Sequence, residues 1–293
     1  MTFKDALKTR DFVVTANVNL AQAPEAEAVI KQGEILRAAV DAVQLTDNPG
    51  AQVQMSGLAA AALLLQQGID PIIHMTCRDR NQIALQSDFI GAAALGVTSV
   101  LLMRGDKIPE HMRPKLRNVF DTNPKEMMAF IQNLKDAESV TLVSDFLVGA
   151  AATLFNPDAN WTPDSLAAKC DSGANFVQTQ LCFDMDVVRK YMARIVASKL
   201  THRLNFIMAL SPLPSADVAR WMRDNMKGTL IPESVIKRME QASEPESEGI
   251  EICAEMLQEL ATIPGVSGAN LLALGNLETI PAAIGASGVR PHF

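Results

Sequence analysis

The chain has few of the residues that staple a fold, ligate a metal or coat a nucleic acid. It holds only four cysteines, Cys77, Cys170, Cys182 and Cys253, and none stands in a CxxC pair or a disulfide framework. They read as small hydrophobes in a reducing cytoplasm, and structural zinc is set aside. Its four histidines, His74, His111, His202 and His292, are scattered without ligand spacing, so no metal site is expected. No cluster of Lys and Arg offsets the net charge of −7, which argues against a nucleic-acid surface. No apolar run is long enough to cross a bilayer. The opening MTFKDALKTRDF carries charges but no apolar signal core, so a cytoplasmic protein is expected. Finally, no Pro/Gly/Ser-rich linker or low-complexity tract divides the 293 residues. Residues 1–293 are therefore read as one domain, whose 48% hydrophobic content is enough for a large core.

What is present is repetition. Eight short apolar segments recur: Phe12–Val18, Ala42–Thr46, Pro71–Thr76, Ser99–Met103, Val140–Val148, Phe176–Gln180, Leu204–Leu210 and Gly268–Leu274. They are rich in Val, Ile, Leu or Phe, as strands covered on both faces should be. Helical patterns lie between them at Pro24–Ala39, Gln52–Gln67, Arg80–Leu95, Pro124–Leu134, Pro163–Ser172, Met185–Ser198 and Ser215–Met226. The last interval is longer and fits two helices, Pro232–Gln241 and Ile250–Ala261, divided by the acidic SEPESEG. A final short helix is expected near Thr279–Ile284. Gly68 and Gly96 stand where helices end and a left-handed residue is wanted. Pro24, Pro124 and Pro163 stand at first turns. Strict alternation predicts an α/β fold, a single (β/α)8 TIM barrel. A doubly wound sheet is the alternative. Against it, the first strand runs into Asn17-Val18-Asn19-Leu20 with no glycine for a phosphate loop.

In a barrel, the polar residues at the strand ends converge on one mouth. In order they are Asn17 and Asn19; Thr46, Asp47 and Asn48; His74, Thr76 and Arg78; Arg104 and Asp106; Asn156; Gln178 and Gln180; Ser211; and Asn276. The set is rich in amides, with one strong carboxylate candidate, Asp106. Amides and a carboxylate suit a flat heterocycle with alternating donors and acceptors, such as a pterin or a flavin. Neither a Ser/His/Asp arrangement nor a carboxylate pair stands out, which tells against hydrolysis. Plainer readings stand beside these. Asp106 after a glycine also fits a turn or helix cap. His74 also fits a packing histidine, Asn17 a turn cap, and Gln180 a buried amide that needs partners whatever its role.

The loops extend the reading. Thr46-Asp47-Asn48-Pro49, then His74-Met75-Thr76-Cys77-Arg78-Asp79-Arg80-Asn81, then Arg104-Gly105-Asp106 resemble the methylenetetrahydrofolate reductase family. So do Asn118-Val119-Phe120-Asp121, Lys169-Cys170-Asp171-Ser172-Gly173-Ala174-Asn175-Phe176, Gln178-Thr179-Gln180-Leu181-Cys182-Phe183-Asp184, Pro232-Glu233 and Gly288-Val289-Arg290-Pro291. The match runs in order along nearly the whole chain. The resemblance is nearest to the branch in which this barrel is fused to, or accompanies, a homocysteine methyltransferase.

The resemblance implies a barrel that binds FAD at the strand C-termini. A reduced nicotinamide, NADH or NADPH, reduces the flavin, which passes a hydride to 5,10-methylenetetrahydrofolate to give 5-methyltetrahydrofolate. On this reading Asp106 and Asn17 are the catalytic positions. Gln180, Asp106, Asn19 and Gln178 face the folate, and Thr46, His74, Thr76, Arg104, Asn156 and Lys169 face the flavin.

Two departures stand out. Asn17 occupies the place where the family carries a Glu that helps open the methylene bridge, and a neutral amide cannot deliver a proton; losing a general acid commonly costs ~10²–10⁴ in rate. The loop after the fifth strand, Ala150 to Asp158, keeps Asn156-Pro157 but inserts apolar residues. The alternative is therefore a tetrahydrofolate-dependent methyltransferase or demethylase on the same barrel, without flavin, working with a corrinoid or methyltransferase partner. A third is a folate-binding subunit without catalysis. A homo-oligomer is the prior expectation for such barrels.

Overall fold

The structure is a computed structural model that describes residues 1–20, 25–112, 115–136 and 146–290. Among them, eight strands close a parallel barrel in chain order: β1 (Val13–Val18), β2 (Ala42–Leu45), β3 (Pro71–Thr76), β4 (Ser99–Met103), β5 (Leu147–Ala152), β6 (Phe176–Leu181), β7 (Asn205–Leu210) and β8 (Val266–Leu271). The seam is β1 against β8, with Val13 opposite Gly268 and Ala16 opposite Leu271. The barrel expected from the sequence is the fold observed.

The helices outside it are α1 (Phe3–Thr9), α2 (Ala26–Leu36), α3 (Gly57–Gln66), α4 (Gln82–Leu95), α5 (Pro124–Asp136), α6 (Asp164–Asp171), α7 (Met185–Ala197), α8 (Ala216–Asn225), α9 (Glu233–Gln241), α10 (Pro245–Thr262) and α11 (Thr279–Ser287). Their starts are set by capping. The side chains of Ser56, Asn81, Asp184 and Ser215 accept from the backbone N–H groups of Ala59, Ala84, Val187 and Val218, relieving donors left open in each first turn. Gly68 and Gly96 take positive φ, 69° and 92°, as their places after helices require.

Alternation along the strands sorts side chains into two environments. Outward residues such as Val14, Ala16, Val43, Leu45, Val100 and Val177 join the large core beneath the helices. Inward residues stack along the barrel axis. At the bottom Val13, Ala42, Ile72, Leu101, Phe176 and Ile207 form an apolar plug, sealed by Phe3 and Ala6 of α1. Above it lies a polar layer of Thr15, Gln44, His74, Gln178 and Asn270, all buried. This layer is the floor of the mouth.

Several boundaries differ from those expected. The fifth strand was expected at Val140–Val148, but β5 is Leu147–Ala152, and residues 140–145 lie outside the described set, as does Pro24. Its Gly-Ala-Ala-Ala run has weak strand propensity. Packing demands it nonetheless: a Cβ on Gly149 would sit 2.2 Å from the Phe176 ring. β8 starts and ends earlier than Gly268–Leu274. α3 begins at Gly57 rather than Gln52 because Asn48, in the left-handed region at φ 47°, opens a tight turn over Pro49–Ala51. The acidic SEPESEG breaks the chain between the two helices only at Ser243 and Glu244. From Pro245 on it supplies the first turn of α10, where the proline and the carboxylates of Glu246 and Glu248 suit a helix N-terminus. α1 was not anticipated. It is held by a reciprocal capping box between Thr2 and Asp5 and by the Asp70 carboxylate, which accepts from the Phe3 N–H at 2.7 Å.

Candidate functional site

The floor is one hydrogen-bonded set. His74 Nε2 lies 2.7 Å from Gln44 Oε1. Gln44 Nε2 donates to Thr15 Oγ1 at 2.9 Å and to Gln178 Oε1 at 2.5 Å. Thr15 Oγ1 donates to Asn270 Oδ1 at 2.9 Å, and Asn270 Nδ2 donates to Asn17 Oδ1 at 2.9 Å. Five strands thus meet across the axis through neutral groups. Burial drives His74 down to about 4, since a charged imidazole would lose its hydration there, so the ring is neutral at physiological pH. With Gln44 Oε1 as acceptor, the proton is on Nε2.

Reasoning from the sequence placed His74, Asn17 and Gln178 at the mouth but missed Thr15, Gln44 and Asn270. The available signal was a polar residue inside an otherwise apolar strand, as in Ala42-Val43-Gln44-Leu45, because such a residue, buried on a barrel strand, must find partners.

The rim on the β2–β3 side is an ion-pair cluster. Asp47 accepts from the Thr76 N–H at 2.7 Å and hydroxyl at 2.9 Å, and pairs with Arg80, which also reaches Asp88 at 2.8 Å. Arg78, almost wholly buried, donates to both oxygens of Asp79 and to the Asn48 carbonyl. Thr46 accepts from Gln54 at its carbonyl and its hydroxyl. Asp47, Asn48, Gln54, His74 and Arg80 help line a cavity of about 240 Å³ beside the start of α3.

At β4, Gly105 turns at φ 80°, and a Cβ there would press on Thr76 and Arg78 at 3.1 and 3.0 Å. This close approach sets Arg104 and Asp106 on the exposed rim. The Arg104 guanidinium lies 5.1 Å above the Phe120 ring, a cation–π contact. Asp106 has no hydrogen-bond partner among the described residues, and its charge acts on Arg78. It is a free carboxylate at the mouth.

On the far side, Lys169 of α6 donates to the Ala151 carbonyl of β5 at 2.6 Å, and burial lowers its pKa. Asn156 is exposed. Next to it the inserted apolar residues have a use: Phe155 stacks edge-on against Trp161 and Tyr191, at 5.2 and 5.5 Å between centroids. Gln180 Nε2 donates to the Lys227 carbonyl at 3.2 Å, which draws the loop after α8 to the end of β6. Asn19 exchanges backbone hydrogen bonds with the Gln32 side chain of α2.

Two residues expected at the mouth do other work. Ser211 is fully buried, with its hydroxyl on the Pro212 carbonyl. Asn276 accepts from the Glu278 N–H and caps the approach to α11. Cys77, Cys182 and Cys253 are buried, their thiols pushed up to about 11, about 12 and about 12 by burial, as inert core residues are. Among the described residues no three of His, Cys, Asp and Glu converge as a metal requires, and no helix is long and apolar enough to cross a membrane.

Fold and site together define a class: a (β/α)8 barrel whose mouth has a neutral amide floor, an ion-paired rim and a free carboxylate. Within that class the comparison is specific. The family model described as methylenetetrahydrofolate reductase matches residues 6–288, and the chain belongs to the methylenetetrahydrofolate reductase family. It is 26% identical over 245 residues to a "Probable methylenetetrahydrofolate reductase (NADPH)" of Caenorhabditis elegans. That alignment takes in 80% of this chain and 35% of the other, so the chain spans about a third of that relative's length. An uncharacterized protein from Clostridium thermocellum, solved with two copies of 5-methyl-5,6,7,8-tetrahydrofolic acid bound, superposes with a TM-score of 0.64 over 97% of this chain and 96% of that one. At 14% identity the likeness is one of fold.

Proposed function

We propose that the mouth binds a reduced folate and that the chain, as one domain, interconverts 5,10-methylenetetrahydrofolate and 5-methyltetrahydrofolate with a flavin. The observation that carries this reading is the amide floor with the free Asp106 carboxylate at its rim. Together they offer a flat heterocycle N–H donors, acceptors and one anion. Asp106 and Gln180 hold the folate, with Gln178 and Asn17 beneath it and Asn19 at the edge. The family match and the folate-binding structural relative support the substrate class.

The groups left open fit a flavin. Arg104 keeps its guanidinium N–H donors, Thr46 its hydroxyl hydrogen, Lys169 two ammonium hydrogens, and Asn156 its whole amide. The cavity beside β2 and β3 leaves room for part of an extended molecule. His74 and Thr76 enter differently, since their polar hydrogens are spent on Gln44 and Asp47; they shape the wall. A flavin held there supplies hydride transfer, with NADH or NADPH as the family's electron source. The protein's part is to orient the pterin against that group and to exclude water.

Anaerobic absorbance spectroscopy tests this. Protein loaded with FAD should lose its oxidised flavin absorbance when 5-methyltetrahydrofolate is added, and unchanged flavin absorbance would overturn the reductase reading.

One observation favours a second reading. The Asn17 oxygen is engaged by Asn270, and this position holds no acid of the kind that opens the methylene bridge, a step that methyl transfer does not contain. Methyl transfer between tetrahydrofolate and a corrinoid or methyltransferase partner needs no flavin. Folate binding without flavin binding, with methyl transfer to or from a corrinoid, would establish it.

A further inference from the structure

The polar floor has a property that no single residue in it shows. Each amide offers one oxygen and one nitrogen, and the Thr15 hydroxyl has one hydrogen. Gln44 gives its oxygen to His74, so it must turn its nitrogen to both Thr15 and Gln178. Thr15 accepts from Gln44 and so gives its only hydrogen to Asn270. Asn270 then has only its nitrogen for Asn17. Turning one member alone sets two donors or two acceptors face to face, which costs on the order of 1–3 kcal/mol. The set therefore has two consistent states, this one and its complete reversal with the other His74 tautomer.

The ends of the set are Asn17 and Gln178. Both give their oxygens inward, so both leave N–H groups over. Neither nitrogen has a partner among the described residues, and neither is among the polar atoms sealed from solvent without one. They sit on β1 and β6, three strands apart around the barrel. In the reversed state both would present oxygens. One donor with one acceptor is not available.

We propose that Gln44, Thr15 and Asn270 are positioning residues that lock the Asn17 and Gln178 amides in the same sense, and that in the state observed, with the His74 proton on Nε2, both are donors, so that the mouth selects a ligand edge carrying lone pairs, ring nitrogen or carbonyl oxygen, at both places. This rests on the reading of the mouth as a reduced-folate site and adds the polarity of heterocycle edge that the floor accepts. It also gives Asn17 a use of its own, as one of a matched pair of donors.

The test is equilibrium binding of 5-methyltetrahydrofolate, under anaerobic conditions, to the wild type and to three variants whose folding is checked by thermal melting. Asn270→Asp keeps the shape and still accepts from Thr15, but its second oxygen cannot donate, so Asn17 must turn its oxygen to the ligand. Affinity at pH 8 should fall about tenfold to a hundredfold. Taken relative to the wild type at each pH, it should recover toward pH 5 as the new carboxyl gains a proton and donates as the amide did. That ratio removes whatever pH dependence the two proteins share, from the ligand, from His74 in the floor and from the charged Asp47, Asp79, Arg80 and Asp106 nearby. A merely structural defect would not recover on acidification.

Thr15→Val cuts the link between the two halves and should lose several-fold in affinity, whereas Thr15→Ser should restore it; this pair decides the matter if Asn270→Asp does not fold. Wild-type affinity in Asn270→Asp at both pH values, or equal affinities for Thr15→Val and Thr15→Ser, would overturn the coupling and leave the folate reading standing. A wild type that binds no 5-methyltetrahydrofolate would overturn both.

Discussion

The ring of Phe3 meets the ring of Phe176 edge to face, with centroids 5.3 Å apart and planes at 77°. One ring comes from the helix that precedes the barrel, the other from the inward face of its sixth strand. The pair shuts the end of the barrel opposite the mouth and supports the polar floor above it. Beyond the area buried, such a contact contributes about 0.5–1.5 kcal/mol.

Two substitutions probe this plug. Phe3→Ala removes a fully buried ring and should cost about 3 kcal/mol in urea denaturation. Gly149→Ala adds a methyl where the Phe176 ring already lies and should cost about 1–3 kcal/mol through overpacking. A Gly149→Ala protein as stable as the wild type would show that β5 yields more readily than the packing indicates.

Asp70 should make the protein less stable as the pH rises. Burial raises its pKa from 3.8 to about 6, against the opposing pull of the Phe3 N–H. Between those values the folded state holds a proton that the unfolded state has released, so stability is lost as pH rises through the window. Asp70→Asn keeps an oxygen for the Phe3 N–H and removes the charge. It should be more stable than the wild type at pH 7.5, by roughly 1–3 kcal/mol, and little different at pH 4.

His74 works in the opposite direction. Its folded pKa of about 4 lies below its ordinary 6.5, so the unfolded state takes up the proton first and stability is lost as pH falls from 6.5 to 4. The two groups offset one another in the wild type. In Asp70→Asn the His74 effect should stand alone, as stability that rises with pH across that window. Nitrogen-15 NMR of the imidazole should show the Nε2–H tautomer unchanged from pH 8 to pH 5.5.

Asn17→Glu tests the departure from the family pattern. If hydride transfer at this site is limited by the missing acid, turnover of flavin oxidation by methylenetetrahydrofolate should rise at least about tenfold. An unchanged rate would mean that Asn17 is not a vacated acid position.

The barrel was legible because both of its periodicities survive in the sequence: short apolar strands buried on two faces, and longer amphipathic helices with caps and glycines at their ends. What escaped was decided by contacts distant in sequence. α1 is seven residues with four charged or polar neighbours at its surface, and only the plug beneath Phe176 explains it. β5 is poor in strand formers because an aromatic ring from the next strand needs the space. At the site, loop residues such as Asp106 could be found by position. Thr15, Gln44 and Asn270 could not, because their importance lies in meeting one another across the axis. Ser211 shows the converse: a polar residue at a strand end that packing turned inward.

Asp41 holds Arg10 at 2.9 Å and also pairs with Arg290, so one carboxylate at the base of β2 joins segments 280 positions apart. The β1–β8 seam runs beside it. Neither can form until the last strand has been made and the ring of strands has closed, and closure over so long a loop carries its entropy cost before any contact repays it. The complete Arg10–Asp41–Arg290 clasp belongs to the closed ring. Breaking the clasp should therefore speed unfolding far more than it slows refolding.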